Sequence, residues 1–206
     1  MNQQEVKSII ESAIEASTAT ELALLSAKIP SKYHMSPIKY PALKFELSAE
    51  ELNTINVTSE AAQREDFSSR LQNQLKTPLE KLFYSVLWKQ GDLSKLTHIL
   101  QGIENLNVEP TKKAGIVFRT FGEYLRDKSI PILDQHCMRA YGVYQARNDS
   151  EVRKFLKLEV LLDTEETRKL VLDYHKFFRK AVEGKEANFP FYFDRLLVTL
   201  GRYIKR

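Results

Sequence analysis

Between Gly91 and Asn105 the apolar residues Leu93, Leu96, Ile99, Leu100 and Ile103 recur every three or four positions, and the same helical period returns along most of the chain. Strand-rich folds need alternation and frequent turn residues, whereas this chain has seven Gly and seven Pro among 206 residues. The expected fold class is therefore all-α, with helices joined by brief connections.

Punctuation supports that reading. Val6, Ile9, Ile10, Ala13 and Ile14, then Leu22 and Leu25, predict one helix or two short ones from Glu5 to Ala27. Pro30, Pro37 and Pro41 make residues 31–42 an irregular connector that carries Lys32, Tyr33, His34, Lys39 and Tyr40. A polar helix is expected from Ser59 to Lys76, with Phe67, Leu71 and Leu75 on one side. Thr77-Pro78-Leu79-Glu80 combines a capping threonine, proline in the first turn and glutamate at the third position, so a helix should run to Gln90 and stop at Gly91. With the next helix, capped by Asp92, it should form a hairpin whose core is filled by Trp88, Phe83, Tyr84 and Leu87. Another helix follows to Leu125, with Ala114, Val117, Phe118 and Phe121 inward, and four more complete the chain, to Arg147, over 150–161, over 164–182 and over 191–204.

Composition removes several function classes. A single cysteine, Cys137, excludes an internal disulfide and cannot hold an iron–sulfur cluster or a thiolate zinc site. No apolar run approaches the ~20 residues that a membrane helix needs, which leads to the expectation of a cytoplasmic protein with no membrane partner. There is no glycine-rich phosphate loop, serine nucleophile elbow or metal-ligand spacing, so no cofactor and no metal are expected. Charge is unevenly spread. Residues 1–109 carry 11 Lys/Arg against 14 Asp/Glu and residues 110–206 carry 20 against 13, a distribution that suits a polyanion meeting the second half.

The chemistry-bearing segments are Lys112-Lys113 ahead of an apolar helix, then Asp134-x-His136-x-x-Arg139, and finally Leu200-Gly201-Arg202-Tyr203. Asp134 follows a proline-containing break and is placed to cap the next helix, where backbone N–H groups and the helix dipole favour a carboxylate. In identity, spacing and order these pieces resemble the helix-hairpin-helix DNA glycosylase superfamily, the group that includes endonuclease III. The resemblance covers roughly residues 77–206, and the absence of further cysteines places it with cluster-free members. Where that family has hairpin glycines, this chain has Leu106-Asn107-Val108-Glu109-Pro110.

The resemblance implies a two-lobed helical bundle. Residues 1–58 would be an N-terminal helix and connector packing with the C-terminal lobe, 59–133 a central lobe with a hairpin, and 134–206 the C-terminal lobe. It implies DNA as partner and a base extruded between the lobes, because the glycosidic bond cannot be reached inside the duplex. Asp134 would stabilise the positive charge that develops on the sugar, with Lys112 or Lys113 as nucleophile. DNA contacts would come from Lys112, Lys113, His136, Arg139 and Arg202. The alternative is a non-catalytic helical module that binds nucleic acid or protein.

Overall fold

The protein is described by a computed structural model covering every residue except Pro37, Lys39, Asp92, Val108, residues 110–114 and Arg206. Among the described residues the chain is all-helical and contains no strand. Its helices are α1 (Gln3–Glu15), α2 (Ala19–Ala27), α3 (Ala49–Asn53), α4 (Phe67–Gln74), α5 (Pro78–Gln90), α6 (Lys95–Ile103), α7 (Ile116–Arg126), α8 (Gln135–Gln145), α9 (Asp149–Leu156), α10 (Glu165–Val182) and α11 (Phe189–Tyr203). Among the described residues no helix is long and apolar enough to cross a membrane.

Two compact units emerge. The first joins Met1–Lys44 to Ser129–Arg206, and the second is Phe45–Lys128, so the boundaries fall at 44/45 and 128/129 instead of 58/59 and 133/134. By sequence the first unit holds 20 Lys/Arg against 15 Asp/Glu and the second 11 against 12. The cationic surplus therefore belongs to the first unit, which includes the N-terminal helices, and not simply to the second half of the chain.

In the first unit, α8 and α11 cross closely, α2 lies on α11, and α1 and α9 lie on α8. Residues 5–27 form two helices because Thr18 and Glu21 build a capping box. The Thr18 side chain accepts from Glu21 N, and the Glu21 carboxylate accepts from the Thr18 N–H, which closes α1 and opens α2. Between α8, α10 and α11 the core is aromatic. Tyr141, Tyr174, Phe177, Phe178, Phe189 and Phe193 meet with ring centroids 5.0–6.4 Å apart. Burial of such rings contributes about 2–3 kcal/mol each, which holds α8, α10 and α11 together.

The second unit is built on α6 and α7, which approach until helix backbones touch. A Cβ on Gly102 would lie 1.9 Å from the Arg119 carbonyl oxygen, and one on Gly122 would lie 2.0 Å from that of Ile99. Only glycine fits at either crossing point. Leu47 N–H donates to Leu125 O at 2.9 Å, and Ser59 N–H donates to the Glu104 carboxylate at 2.8 Å, tying the preceding segment to this pair.

Several sequence expectations change here. The tight helical pair is α6–α7, not α5–α6. Thr77, Pro78, Glu80 and Gly91 delimit α5 as their chemistry dictates, with Gly91 at φ 71°, yet no residue of α5 is buried. Phe83 and Trp88 are 60% and 64% exposed, so they fill no core. Local capping forms the helix without specifying what covers it. The polar helix expected over 59–76 is a 3-10 turn at Ala61–Gln63 followed by the shorter α4. In α7 the buried positions are Ile116, Thr120, Gly122 and Leu125, while Val117, Phe118 and Phe121 are half-buried; Ala114 and the cap Asp92 lie outside the described residues.

Candidate functional site

Asp134 is the N-cap of α8. Its Oδ1 accepts from the backbone N–H of His136 at 2.7 Å and of Cys137 at 2.8 Å. Oδ2 has no hydrogen-bond partner among the described residues, and the side chain is half-buried. Capping thus occupies one oxygen and leaves the other available.

Cys137 completes the box from one turn away. The Asp134 N–H donates to Sγ at 3.1 Å, and the thiol donates to Asp134 O at 3.0 Å. Burial, then the negative charges of Asp134 and Asp194, push this thiol well above its ordinary pKa. A buried neutral thiol is a poor nucleophile, so Cys137 holds the turn rather than attacking anything.

Arg139 lies on the inside. It is fully buried, and its guanidinium donates to Gly201 O at 2.7 Å, to His136 Nδ1 at 2.9 Å and to Leu158 O. This corrects the expectation that Arg139 contacts DNA, because a guanidinium committed to two backbone carbonyls inside the core cannot reach a phosphate. Gly201 explains how the carbonyl comes so near. A Cβ there would lie 1.9 Å from the His136 carbonyl oxygen, so glycine lets α11 press against the first turn of α8. Asp134, His136, Arg139 and Gly201 are therefore brought together.

Cations gather at the same helix mouth. The His136 imidazole is held below its ordinary pKa by burial first, opposed by Asp134 and reinforced by Arg139, Arg202 and Lys205. Its Nδ1 accepts from Arg139, which fits the neutral ring. Arg202 is half-buried, and Lys205 is exposed with Glu159 3.2 Å away. Beside them Tyr33 and Tyr203 meet edge to face at 5.0 Å, with the Lys32 ammonium 5.0 Å from the Tyr33 ring. Rings and cations on one surface are suited to bases and phosphates.

Lys112 and Lys113 lie outside the described residues, so their relation to Asp134 does not enter this geometry. Among the described residues no group of three or more His, Cys, Asp or Glu is placed to hold a metal ion. A groove of about 290 Å³ in the first unit, lined by Lys154, Phe155, Leu158, Leu161, Thr167 and Leu170 among others, contains none of the candidate residues.

Sequence reasoning missed Asp194. It is 9% exposed, and its Oδ1 is enclosed without a hydrogen-bond partner. Burial, then the charge of Asp134, raise its carboxyl well above the ordinary range, with Arg195 opposing. The available signal was one acid within the apolar run Phe189, Phe193, Leu196, Leu197 and Leu200.

No protein-family model, curated protein or solved structure matches this chain.

Proposed function

We propose that this chain binds duplex DNA through its first unit and removes an altered base that is drawn out of the stack beside Asp134. The observation that carries this reading is Oδ2 of Asp134, without a hydrogen-bond partner among the described residues, at a helix mouth flanked by His136, Arg202 and Lys205. The resemblance of Asp134, His136, Arg139 and Gly201-Arg202-Tyr203 to helix-hairpin-helix glycosylases points the same way. Cleavage of a glycosidic bond builds positive charge on the sugar. A fixed carboxylate oxygen stabilises that charge or orients the attacking water. Arg202 and Lys205 would neutralise phosphates, the neutral His136 ring would donate to one through Nε2–H, and Tyr33 and Tyr203 would lie against bases. Lys112 or Lys113 would supply the nucleophile if an amine attacks the sugar carbon.

A second reading is favoured by one observation. Glu109 is exposed in the segment where the resemblance calls for phosphate-binding glycines, and an acid there repels the backbone of DNA. In that reading the chain binds nucleic acid without cutting it.

Fluorescence anisotropy of a labelled duplex, measured over a salt series, tests binding. Affinity should fall steeply with salt, and Arg202→Ala should reduce the log–log slope by about 1. Absence of binding at low salt would overturn both readings. Borohydride trapping on a lesion-containing duplex tests amine attack, with loss of the trapped species expected in Lys112→Ala or Lys113→Ala. Binding without base release leaves the second reading.

A further inference from the structure

The apolar side of α5 faces water. Leu79, Leu82, Phe83, Val86 and Leu87 follow the i, i+3, i+4, i+7, i+8 spacing that gathers residues into one stripe along a helix, and each is between 37% and 60% exposed. Lys81, Ser85 and Trp88 fall on the opposite side. Toward α4 the polar link is Gln72 Nε2, which donates to the Tyr84 hydroxyl at 3.1 Å beside the stripe and leaves it open. A capping box, Pro78 and Gly91 start and stop this helix, but 13 residues are marginal in water unless an apolar face is covered. The stripe exposes about 450 Å², within the range that marks an interaction surface.

The stripe is close to symmetric about its own middle. Turned end for end about a point between Tyr84 and Ser85, Leu82 exchanges with Leu87 and Phe83 with Val86. Two antiparallel copies therefore set leucine level with leucine and the phenylalanine ring level with the smaller valine, each contact occurring twice about a twofold axis. The borders of the stripe select the same direction. Glu80 stands in the first turn and Lys89 in the last. Parallel copies would bring each level with its like, whereas antiparallel copies bring Glu80 level with Lys89 of the second copy and oppose the helix dipoles. One acid and one base give no grip on a strongly charged partner such as DNA. We propose that α5 is the surface through which two copies of this chain pair, antiparallel and stripe against stripe. Two stripes bury about 900 Å², and rim atoms bring the total to about 1,000 Å², the lower end for a specific interface. The dimer is therefore weak, with a dissociation constant on the order of 10 µM. Trp88 stays in water on the outside of the pair.

Sedimentation velocity of the whole chain, from about 1 to about 300 µM, reads the pairing. The sedimentation coefficient should rise with concentration from that of a monomer to that of a dimer. Phe83→Glu should raise the dissociation constant at least about 30-fold. Its side chain is exposed, so the helical circular dichroism should not change. Trp88→Ser, on the opposite side, should leave the constant within about twofold. Spin labels on Ser85→Cys and Lys89→Cys read the direction, because Cys137 is buried and stays unlabelled. Antiparallel pairing sets Ser85 next to the twofold axis, so the distance between labels should be longer at Lys89. Equal distances would contradict it. A chain that stays monomeric at about 300 µM would overturn the proposal. In that case a stripe protected from water assigns the cover to the chain itself, and an exposed one assigns it to another protein. A dimer left intact by Phe83→Glu, or weakened as much by Trp88→Ser, would overturn it too.

Discussion

Arg139 Nη1 donates to the carbonyl oxygen of Gly201 at 2.7 Å, across 62 positions of sequence. This bond ties the second turn of α8 to the last turn of α11, and the same guanidinium reaches His136 and Leu158. Replacing Arg139 by Met should cost about 3 kcal/mol, because the buried Gly201 carbonyl and the half-buried Leu158 carbonyl lose a charged donor. Arg139→Lys should recover less than half of that, since one ammonium cannot reproduce the planar fork. Denaturant unfolding of the three proteins measures both values.

Gly201→Ala tests the contact from the other helix. With the new methyl 1.9 Å from a backbone oxygen, α11 must move off α8, at a cost of about 2–3 kcal/mol. Chemical-shift changes should centre on His136 and Arg139. A variant as stable as the parent would contradict the close crossing.

Local chemistry in the sequence was enough to place Asp134 as a cap and to bound α5, because capping boxes, proline in the first turn and a left-handed glycine act within a few residues. Burial was less legible. Arginine is usually exposed, and no neighbour of Arg139 announces that its acceptors are 19 and 62 positions away. Phe83 and Trp88 were expected inside on the strength of their chemistry alone, yet which apolar face is covered depends on helices distant in sequence. Asp194 went unread for the same reason.

Trp88 is the single tryptophan and is 64% exposed, so intrinsic fluorescence reports on α5 without ambiguity. Its emission should lie at the long-wavelength position of a hydrated indole and be readily quenched by acrylamide. Trp88→Ser should change stability by no more than about 0.5 kcal/mol. Blue-shifted, protected emission would place α5 against a partner surface.

Acid should weaken the first unit through His175. Burial, aided by Arg179, lowers its pKa to about 4, and its Nε2 is enclosed without a partner. The unfolded chain takes up this proton near pH 6.5 while the folded one resists, so stability falls as pH drops from about 6.5 to about 4. The loss is on the order of 2–3 kcal/mol. His175→Gln should flatten that part of the stability profile.

Base release compared between the parent chain and Asp134→Asn is the most direct measurement, using a panel of duplexes that each carry one altered base. Asparagine keeps a capping oxygen, so the fold and DNA affinity should persist, while the charge that stabilises the sugar cation is gone. The account predicts release from at least one duplex by the parent chain and a rate at least about 100-fold lower in the variant. No release from any duplex, or equal rates from the two proteins, would contradict it.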